Sequence, residues 1–259
     1  MSDKYQRLLE IIKNTGPVGV AFSGGVDSTL LLKAALAVHG ADVAVFYVRS
    51  PLQKPQVEQR VLETGRRFGC LVRIVDIDPL EWSEFVENSG LRCYHCKKKI
   101  YARLTGLLPC RYKLLDGTNM DDPSEERPGY KAIKELDVRT PLLDAGLTKN
   151  EIRFICKYFR LPCWNLPSES CLATRIVTGV EITPHLLRTA ESGEDFLNGQ
   201  GFYGCRVRLD GQSVFISLSQ GDSMRLLDPA VKREVVSFFT KLNYTKVFLE
   251  LSERASILK

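Results

Sequence analysis

Two rhythms of apolar residues alternate along the first two thirds of this chain. Short, nearly unbroken apolar runs read as strands buried on both faces: Val18 to Phe22, Val43 to Val48, Leu71 to Asp78, and Tyr112 to Asn119, which ends in a polar turn. Between and after them the spacing is helical, at Asp27 to His39, Pro55 to Gly69, Asp78 to Ser89, Cys96 to Leu108 and Thr148 to Arg160. Gly69 is a natural helix stop, and Thr148 with Glu151 has the spacing of a capping box. Strand and helix in alternation predict a Rossmann-like α/β fold, a parallel sheet covered on both faces with its ligand at the carboxyl ends of the strands.

The rhythm changes at the Pro- and Ser-rich stretch Leu161 to Cys171. Beyond it a helical run at Ile182 to Gly201 is followed by two alternating runs, Cys205 to Leu218, broken by Asp210-Gly211, a strong hairpin signal. A short helix near Met224, a longer one at Pro229 to Asn243 and a strand at Lys246 to Leu251 complete a compact α+β unit. The division expected is a first domain over residues 1–166 and a second over 167–259.

At 259 residues, 44% hydrophobic and 26% charged, the chain has the balance of a globular protein able to bury a sizeable core. Its amphipathic N-terminus lacks a signal-peptide core, and no apolar run is long enough to cross a bilayer, so no membrane partner and a cytoplasmic location are expected. In that compartment the eight cysteines are thiols, metal ligands or reactive groups rather than disulfides. A net charge of +5 suits phosphate-bearing ligands, without the dense basic block that announces nucleic acid.

The chemistry starts at Ser23-Gly24-Gly25-Val26-Asp27-Ser28, between the first strand and the first helix of the sheet domain. A helix N-terminus favours an anion, and two glycines let backbone amides approach phosphate oxygens. Ser23 and Ser28 offer hydroxyls, and Asp27 offers a carboxylate for Mg²⁺. The Walker pattern and its lysine are absent, which suits pyrophosphate leaving from the α-phosphate of ATP better than transfer of the γ-phosphoryl group. Asp116-Gly117-Thr118-Asn119 leaves another strand at the same edge, as a nucleotide contact or simply as a capped turn. Backbone near Tyr47 and Val48 is placed to read adenine, while Arg127, Lys97 and Lys98 are candidates for phosphate against the plainer alternative of solvated surface charge.

SGGVDS resembles the signature of the ATP pyrophosphatases, enzymes that adenylate an oxygen and expel pyrophosphate. RCYHCKK, LLDGTNMDD, ERPGYKA, TPLLDAGLTKNEIR, SESCLATRI, GVEIT and GFYGCRVR then follow in order. Together these resemble the LarE family, ATP-dependent sulfur transferases that build the nickel-pincer nucleotide cofactor of lactate racemase. The resemblance implies that a carboxylate of a pyridinium dicarboxylate mononucleotide becomes an acyl adenylate and then a thiocarboxylate. It also implies a homo-oligomer, trimer or hexamer.

In sacrificial members the sulfur comes from a cysteine matching Cys171, and neighbouring Arg175 is a candidate for activating that thiol or holding substrate phosphate. The resemblance also places Glu194 and Arg206 near the thiolation centre, as metal-holding acid and phosphate-binding arginine. A further acidic ligand of those relatives would fall near Met224–Arg225, where Asp222 is offset; a plain helix-surface carboxylate is the alternative for Glu194. Here Cys93 and Cys96 accompany Cys171, a set that resembles members binding a [4Fe–4S] cluster with one iron open for sulfide. A zinc site completed by Cys171 or His95, unmetallated thiols, sacrifice of Cys171, tRNA thiolation, and a nucleotide-sensing or zinc-stabilised binding module without enzymatic activity stay open as alternatives. The tRNA enzymes typically show SGGKDS, where this chain has Val26. Cys70, Cys110 and Cys156 read as core fillers, and Cys163 and Cys205, although close to site segments, are given the same reading.

Overall fold

The computed structural model describes residues 3–122, 128–167, 170–219 and 221–251. Among these, the chain runs α1 (Asp3–Thr15), β1 (Val18–Ala21), α2 (Val26–His39), β2 (Ala44–Arg49), α3 (Pro55–Phe68), β3 (Val72–Asp76), α4 (Ser83–Val86), α5 (Arg92–Gly106) and β4 (Lys113–Leu115). It continues α6 (Pro128–Glu135), α7 (Pro141–Asp144), α8 (Lys149–Tyr158), α9 (Pro184–Gly199), β5 (Arg206–Leu209), β6 (Ser213–Ser217), α10 (Ser223–Leu226), α11 (Pro229–Lys241) and β7 (Lys246–Leu249).

Contacts divide it into two units, Met1–Pro79 with Leu91–Ser168, and Leu80–Gly90 with Glu169–Lys259. Residues 80–90 therefore pack with the second unit, although the strand–helix rhythm assigns them to the first domain. The helix expected from Asp78 to Ser89 is correspondingly reduced to a 3₁₀ turn and the single-turn α4. Tertiary bonding overrides its helical spacing. Asn88, held at a positive φ of 53°, donates from Nδ2 to the carbonyls of Val177 (2.8 Å) and Val180 (2.7 Å). Ile182 and Gly179 in turn donate their N–H groups to the carbonyls of Val86 and Asn88.

The first unit holds an all-parallel four-stranded sheet in the order β3-β2-β1-β4. This is a Rossmann-like α/β arrangement. Chain connections leave β1 toward β2 on one side while β4 lies on the other, so the strand order reverses at the carboxyl end of β1. The helix that follows β1 is apolar nearly all round because it is walled in: Leu30, Leu31, Leu32, Ala34 and Ala35 are fully buried in one core with α1, α3 and α8. Tyr101 and Leu104 of α5 pack with Phe46 and Leu114 in a second core on the opposite side of the sheet.

The second unit pairs β5 antiparallel with β6, and β6 parallel with β7. Asp210 and Gly211 form the predicted turn, Gly211 at φ 91° and Asp210 accepting from the amides of Gln212 and Ser213. No helix among the described residues is long and apolar enough to cross a membrane.

Candidate functional site

The carboxyl end of β1 delivers Ser23 to Ser28 onto the first turn of α2. Gly24 takes φ 73°, a left-handed conformation that favours glycine, and a Cβ there would stand 2.7 Å from Val61 Cγ2. Arg60 of α3 donates from Nε to the Gly24 carbonyl at 3.1 Å, which fixes the loop from outside. Gly25 O accepts from the Thr29 amide (3.0 Å), the Thr29 hydroxyl (2.7 Å) and the Ser28 hydroxyl (3.2 Å). Ser23 Oγ and Ser28 Oγ lie 3.0 Å apart, one exposed and one buried, so two hydroxyls border a turn whose first amides have no acceptor within the helix.

Asp27 is the charged residue of this loop. Its carboxylate accepts from Asn119 Nδ2 at 3.2 Å and pairs with the Lys149 ammonium. Burial raises the Asp27 carboxyl above its ordinary value, and the Lys149 charge only partly offsets it. Lys149 begins α8, whose amide it also ties to Asp121 Oδ2 (2.7 Å), while Asp122 Oδ2 accepts from the Asn119 amide (3.1 Å). The spacing around SGGVDS contains no sign of Lys149. A cation does reach this loop, from 122 residues away.

The turn after β4 closes on the same place. Gly117 lies so near α2 that a Cβ would come within 3.2 Å of the Ser28 amide nitrogen. Behind it, buried Asp116 accepts from the hydroxyls of Tyr101 and Thr118, from the Thr118 amide (2.8 Å), and faces Lys97 Nζ at 3.7 Å. Burial pushes this carboxyl up, but Lys97, Thr118 and Tyr101 outweigh it and hold it below the usual range. Burial, with the neighbouring Asp116 charge second, drives the Tyr101 phenol well above its own. Of the candidate cations, Lys97 is thus engaged with Asp116, and Lys98 with Tyr94 (2.7 Å) and Glu135 (2.9 Å). Arg127 lies outside the described residues.

The helix carrying the two cysteines starts earlier than its apolar spacing indicates, at Arg92. Cys93 and Cys96 therefore share one helix three residues apart, which puts them on neighbouring turns of one face. Cys96 is close enough to Tyr101 for its charge to bear on the phenol. A run of contacts thus leads from Tyr101, on the helix that carries Cys96, through Asp116 to Gly117 and the Ser23–Ser28 loop. Tyr47 is buried and pairs with Ile74 of β3, one residue past the last β1 pair, Ala21 with Phe46.

In the second unit Cys171 is exposed and precedes a 3₁₀ turn, Leu172–Arg175. Its carbonyl accepts from the Thr174 amide (2.9 Å) and hydroxyl (2.8 Å). Arg175 is buried. It donates to Glu194 Oε1 from Nε at 2.5 Å, to Ser170 Oγ at 2.7 Å and to Thr174 Oγ1 at 2.8 Å. Glu194 is equally buried, so the surface-carboxylate alternative is excluded; Arg206, half-buried, donates to the Cys205 carbonyl at 3.5 Å. The reading of Cys110 as a core filler is also corrected: it is exposed and Cys70 half-buried, whereas Cys156, Cys163 and Cys205 are buried. Cys110 follows Pro109 in the short turn before β4, where the apolar neighbours Leu107 and Leu108 turn inward without it. Among the described residues, no group of three or more His, Cys, Asp or Glu side chains is placed to hold a metal ion.

With this geometry in view, the comparisons with known proteins are informative. No family model matches the chain. It is similar over nearly its whole length to a pyridinium mononucleotide synthase. That relative is the pyridinium-3,5-bisthiocarboxylic acid mononucleotide synthase of Lactiplantibacillus plantarum, 29% identical, with 97% of this chain and 91% of the relative covered. The uncharacterized protein slr1717 of Synechocystis is also 29% identical (97% and 94% covered), and the uncharacterized protein MJ0830 of Methanocaldococcus jannaschii 28% (90% and 88%). At 97% coverage, the likeness to the first two of these proteins extends over parts of both units.

Proposed function

We propose that this protein is a sulfur transferase that makes a thiocarboxylate on a pyridinium mononucleotide, the carboxylate first being activated by ATP as an acyl adenylate. The observation that carries this reading is the run of contacts joining the CxxC helix to the phosphate loop through Tyr101, Asp116 and Gly117. A nucleotide-binding turn alone has no need of thiols. The full-length likeness to the pyridinium-3,5-bisthiocarboxylic acid mononucleotide synthase supports the substrate class.

In this reading the first-turn amides of α2 with Ser23 and Ser28 receive the pyrophosphate portion of ATP, and backbone at Tyr47 and Val48 borders the adenine. Expulsion of pyrophosphate leaves negative charge on oxygens that Lys149 is near enough to stabilise once it turns from Asp27. The freed Asp27 carboxylate then matches the oxygen preference of Mg²⁺, with Asn119 beside it. Arg175 and Glu194 hold the turn of Cys171 rather than touching substrate, and half-buried Arg206 is the phosphate contact of that unit.

Cys93, Cys96 and Cys171 are a donor set of the right chemistry for iron: all thiols, all exposed or half-buried, unlike buried Cys156, Cys163 and Cys205. A [4Fe–4S] cluster bound by these three would supply sulfide from an iron that no thiolate occupies. The second reading, in which Cys171 is itself the sulfur donor, is favoured by its exposed position just ahead of a 3₁₀ turn.

The decisive experiment incubates anaerobically purified protein with ATP, Mg²⁺, sulfide and a pyridinium dicarboxylate mononucleotide. Release of pyrophosphate, with one oxygen of the product replaced by sulfur, is expected; no pyrophosphate above the protein-free level would overturn the reading. Metal analysis and intact mass separate its two forms. About four irons per chain indicate the cluster, whereas a protein lighter by one H₂S after turnover indicates the sacrificed cysteine.

A further inference from the structure

The first unit contains a cavity of about 390 Å³ that the proposed reaction does not use. One wall is α3. Arg60, Thr64, Arg67 and Phe68 line the cavity at a spacing that puts them on one face of that helix, while Val57 and Val61 turn into the core. The facing wall is the segment Leu161 to Leu166, which adds the apolar side chains of Leu161 and Leu166. The volume lies within the range of about 300–1,000 Å³ usual for small-molecule sites.

Both walls are held in place before any ligand arrives. Arg60 donates from Nε to the Gly24 carbonyl at 3.1 Å, and Arg67 donates from Nη2 to the Arg160 carbonyl at 2.9 Å. These carbonyls are neutral, so the two bonds fix the guanidiniums without cancelling their charge. Arg153 of α8 fixes the facing segment by donating to the carbonyls of Trp164 (2.7 Å) and Leu166 (2.6 Å). The hydroxyls of Thr29 and Thr64, also at the cavity, are already donated to the carbonyls of Gly25 (2.7 Å) and Arg60 (2.8 Å). The strong donors open to a ligand there are therefore guanidinium N–H groups. Against the two arginines stands one lining carboxylate, Glu63, which accepts from Gln59 Nε2 at 2.8 Å.

We infer that this cavity is a second ligand site, separate from the phosphate loop, for a small organic carboxylate with an apolar body. The carboxylate pairs with Arg67, and the body lies against Phe68 and Leu161. The planar fork of a guanidinium matches the two oxygens of a carboxylate, which gives the site its preference for that head group. The apolar wall beside the same arginine gives it a preference for a ring or branched chain over a small inorganic anion. Because the walls are preformed, little ordering cost falls on binding.

The test needs neither ATP nor a pyridinium nucleotide, so its outcome is separate from that of the sulfur-transfer reading. Full-length protein is titrated by calorimetry with 2-naphthoate and with its neutral isostere, 2-naphthamide. The acid should bind with a dissociation constant of about 1 mM or below, and about tenfold tighter than the amide. Arg67 is exposed, so its replacement should leave the fold intact. Arg67→Glu should abolish the preference for the acid, and Arg67→Lys, which keeps the charge, should retain part of it. A crystal of the unsubstituted protein soaked with 2-naphthoate should show the carboxylate at Arg67 and the rings against Phe68 and Leu161, which tests the inference even if a variant fails to fold. Equal binding of acid and amide, a preference that survives Arg67→Glu, or naphthoate seated elsewhere on the molecule would overturn it.

Discussion

An ion pair stands at the candidate chemistry of each unit, Asp27–Lys149 in the first and Glu194–Arg175 in the second, and the two differ in how much water they keep. At the phosphate loop, Asp27 and Lys149 retain 21% and 25% of their side-chain exposure. Behind Cys171, Glu194 and Arg175 retain 3% and 4%. Solvent at the first pair lowers the cost of separating the charges, so each partner is free to trade the other for an incoming phosphate or cation. Opening the second pair would strand a desolvated charge inside the unit. Motif resemblance nominates Asp27, Arg175 and Glu194 alike as ligand-binding groups. Burial sorts them into one exchangeable site and one fixed brace.

The sharpest way to break this comparison is Glu194→Ala. Removing one member of a buried, hydrogen-bonded pair should cost about 3–5 kcal/mol, read as a large drop in the urea midpoint of unfolding. Glu194→Gln, which still accepts from Arg175, should cost less. Lys149→Ala at the other pair should cost no more than about 1 kcal/mol. Equal losses at the two pairs would show that the brace is no more fixed than the loop.

Next in size is Gly24→Ala. Its left-handed backbone and the 2.7 Å approach to Val61 both oppose a side chain, and together they should cost about 1–3 kcal/mol. A double-mutant cycle separates the causes: in a Val61→Ala background the clash disappears and only the backbone cost remains. The loop is the part of the site under backbone constraint, so nucleotide affinity should fall with stability. A Gly24→Ala protein of undiminished stability and affinity would mean that the turn is held by something other than this glycine.

How far the residues alone revealed all this depends on the range of the interaction. Buried parallel strands and the amphipathic helices were legible because their apolar periods are local, and the Thr148–Glu151 capping box lies within four residues. The strand-to-helix turn Ser23 to Ser28 was legible for the same reason: its glycines and hydroxyls are contiguous. Lys149 on Asp27, Arg60 on Gly24, and Tyr101 on Asp116 were not, since each joins separate elements and leaves no fixed spacing. Asp78 to Ser89 misled because its helical pattern is real but weaker than the bonds Asn88 makes with residues 177 and 180. Cys110 misled because apolar neighbours in sequence do not ensure an inward side chain at a turn.

A smaller effect, of opposite sign, concerns the charge of Asp27. Its folded value is raised, so the stability it contributes is fully present below the ordinary carboxylate range and is lost as pH rises through the folded value. Asp27→Asn should therefore be at least as stable as the parent at neutral pH, and its stability should no longer decline over that acidic interval. Urea titrations at several acidic pH values check this. If the parent instead gains stability through the interval relative to Asp27→Asn, Lys149 has outweighed burial, and this pair is a brace like the other.

Glu151 gives the smallest effect and the opposite slope. The Lys4 hydrogen bond, then the Thr148 amide, lower its carboxyl to about 2. Its contribution is thus present above the ordinary glutamate value and is lost as pH falls toward about 2. The side chain is 40% exposed and its ion pair is screened by solvent, so Glu151→Gln should cost no more than about 1 kcal/mol near neutral pH. Glutamine can still accept from the Thr148 amide, which keeps the helix cap and isolates the charge. High salt should then erase most of the difference between Glu151→Gln and the parent, while leaving the loss in Glu194→Ala nearly intact. That contrast in salt sensitivity is the comparison of exchangeable and fixed charge in its plainest form, because screening reaches a pair only as far as water does.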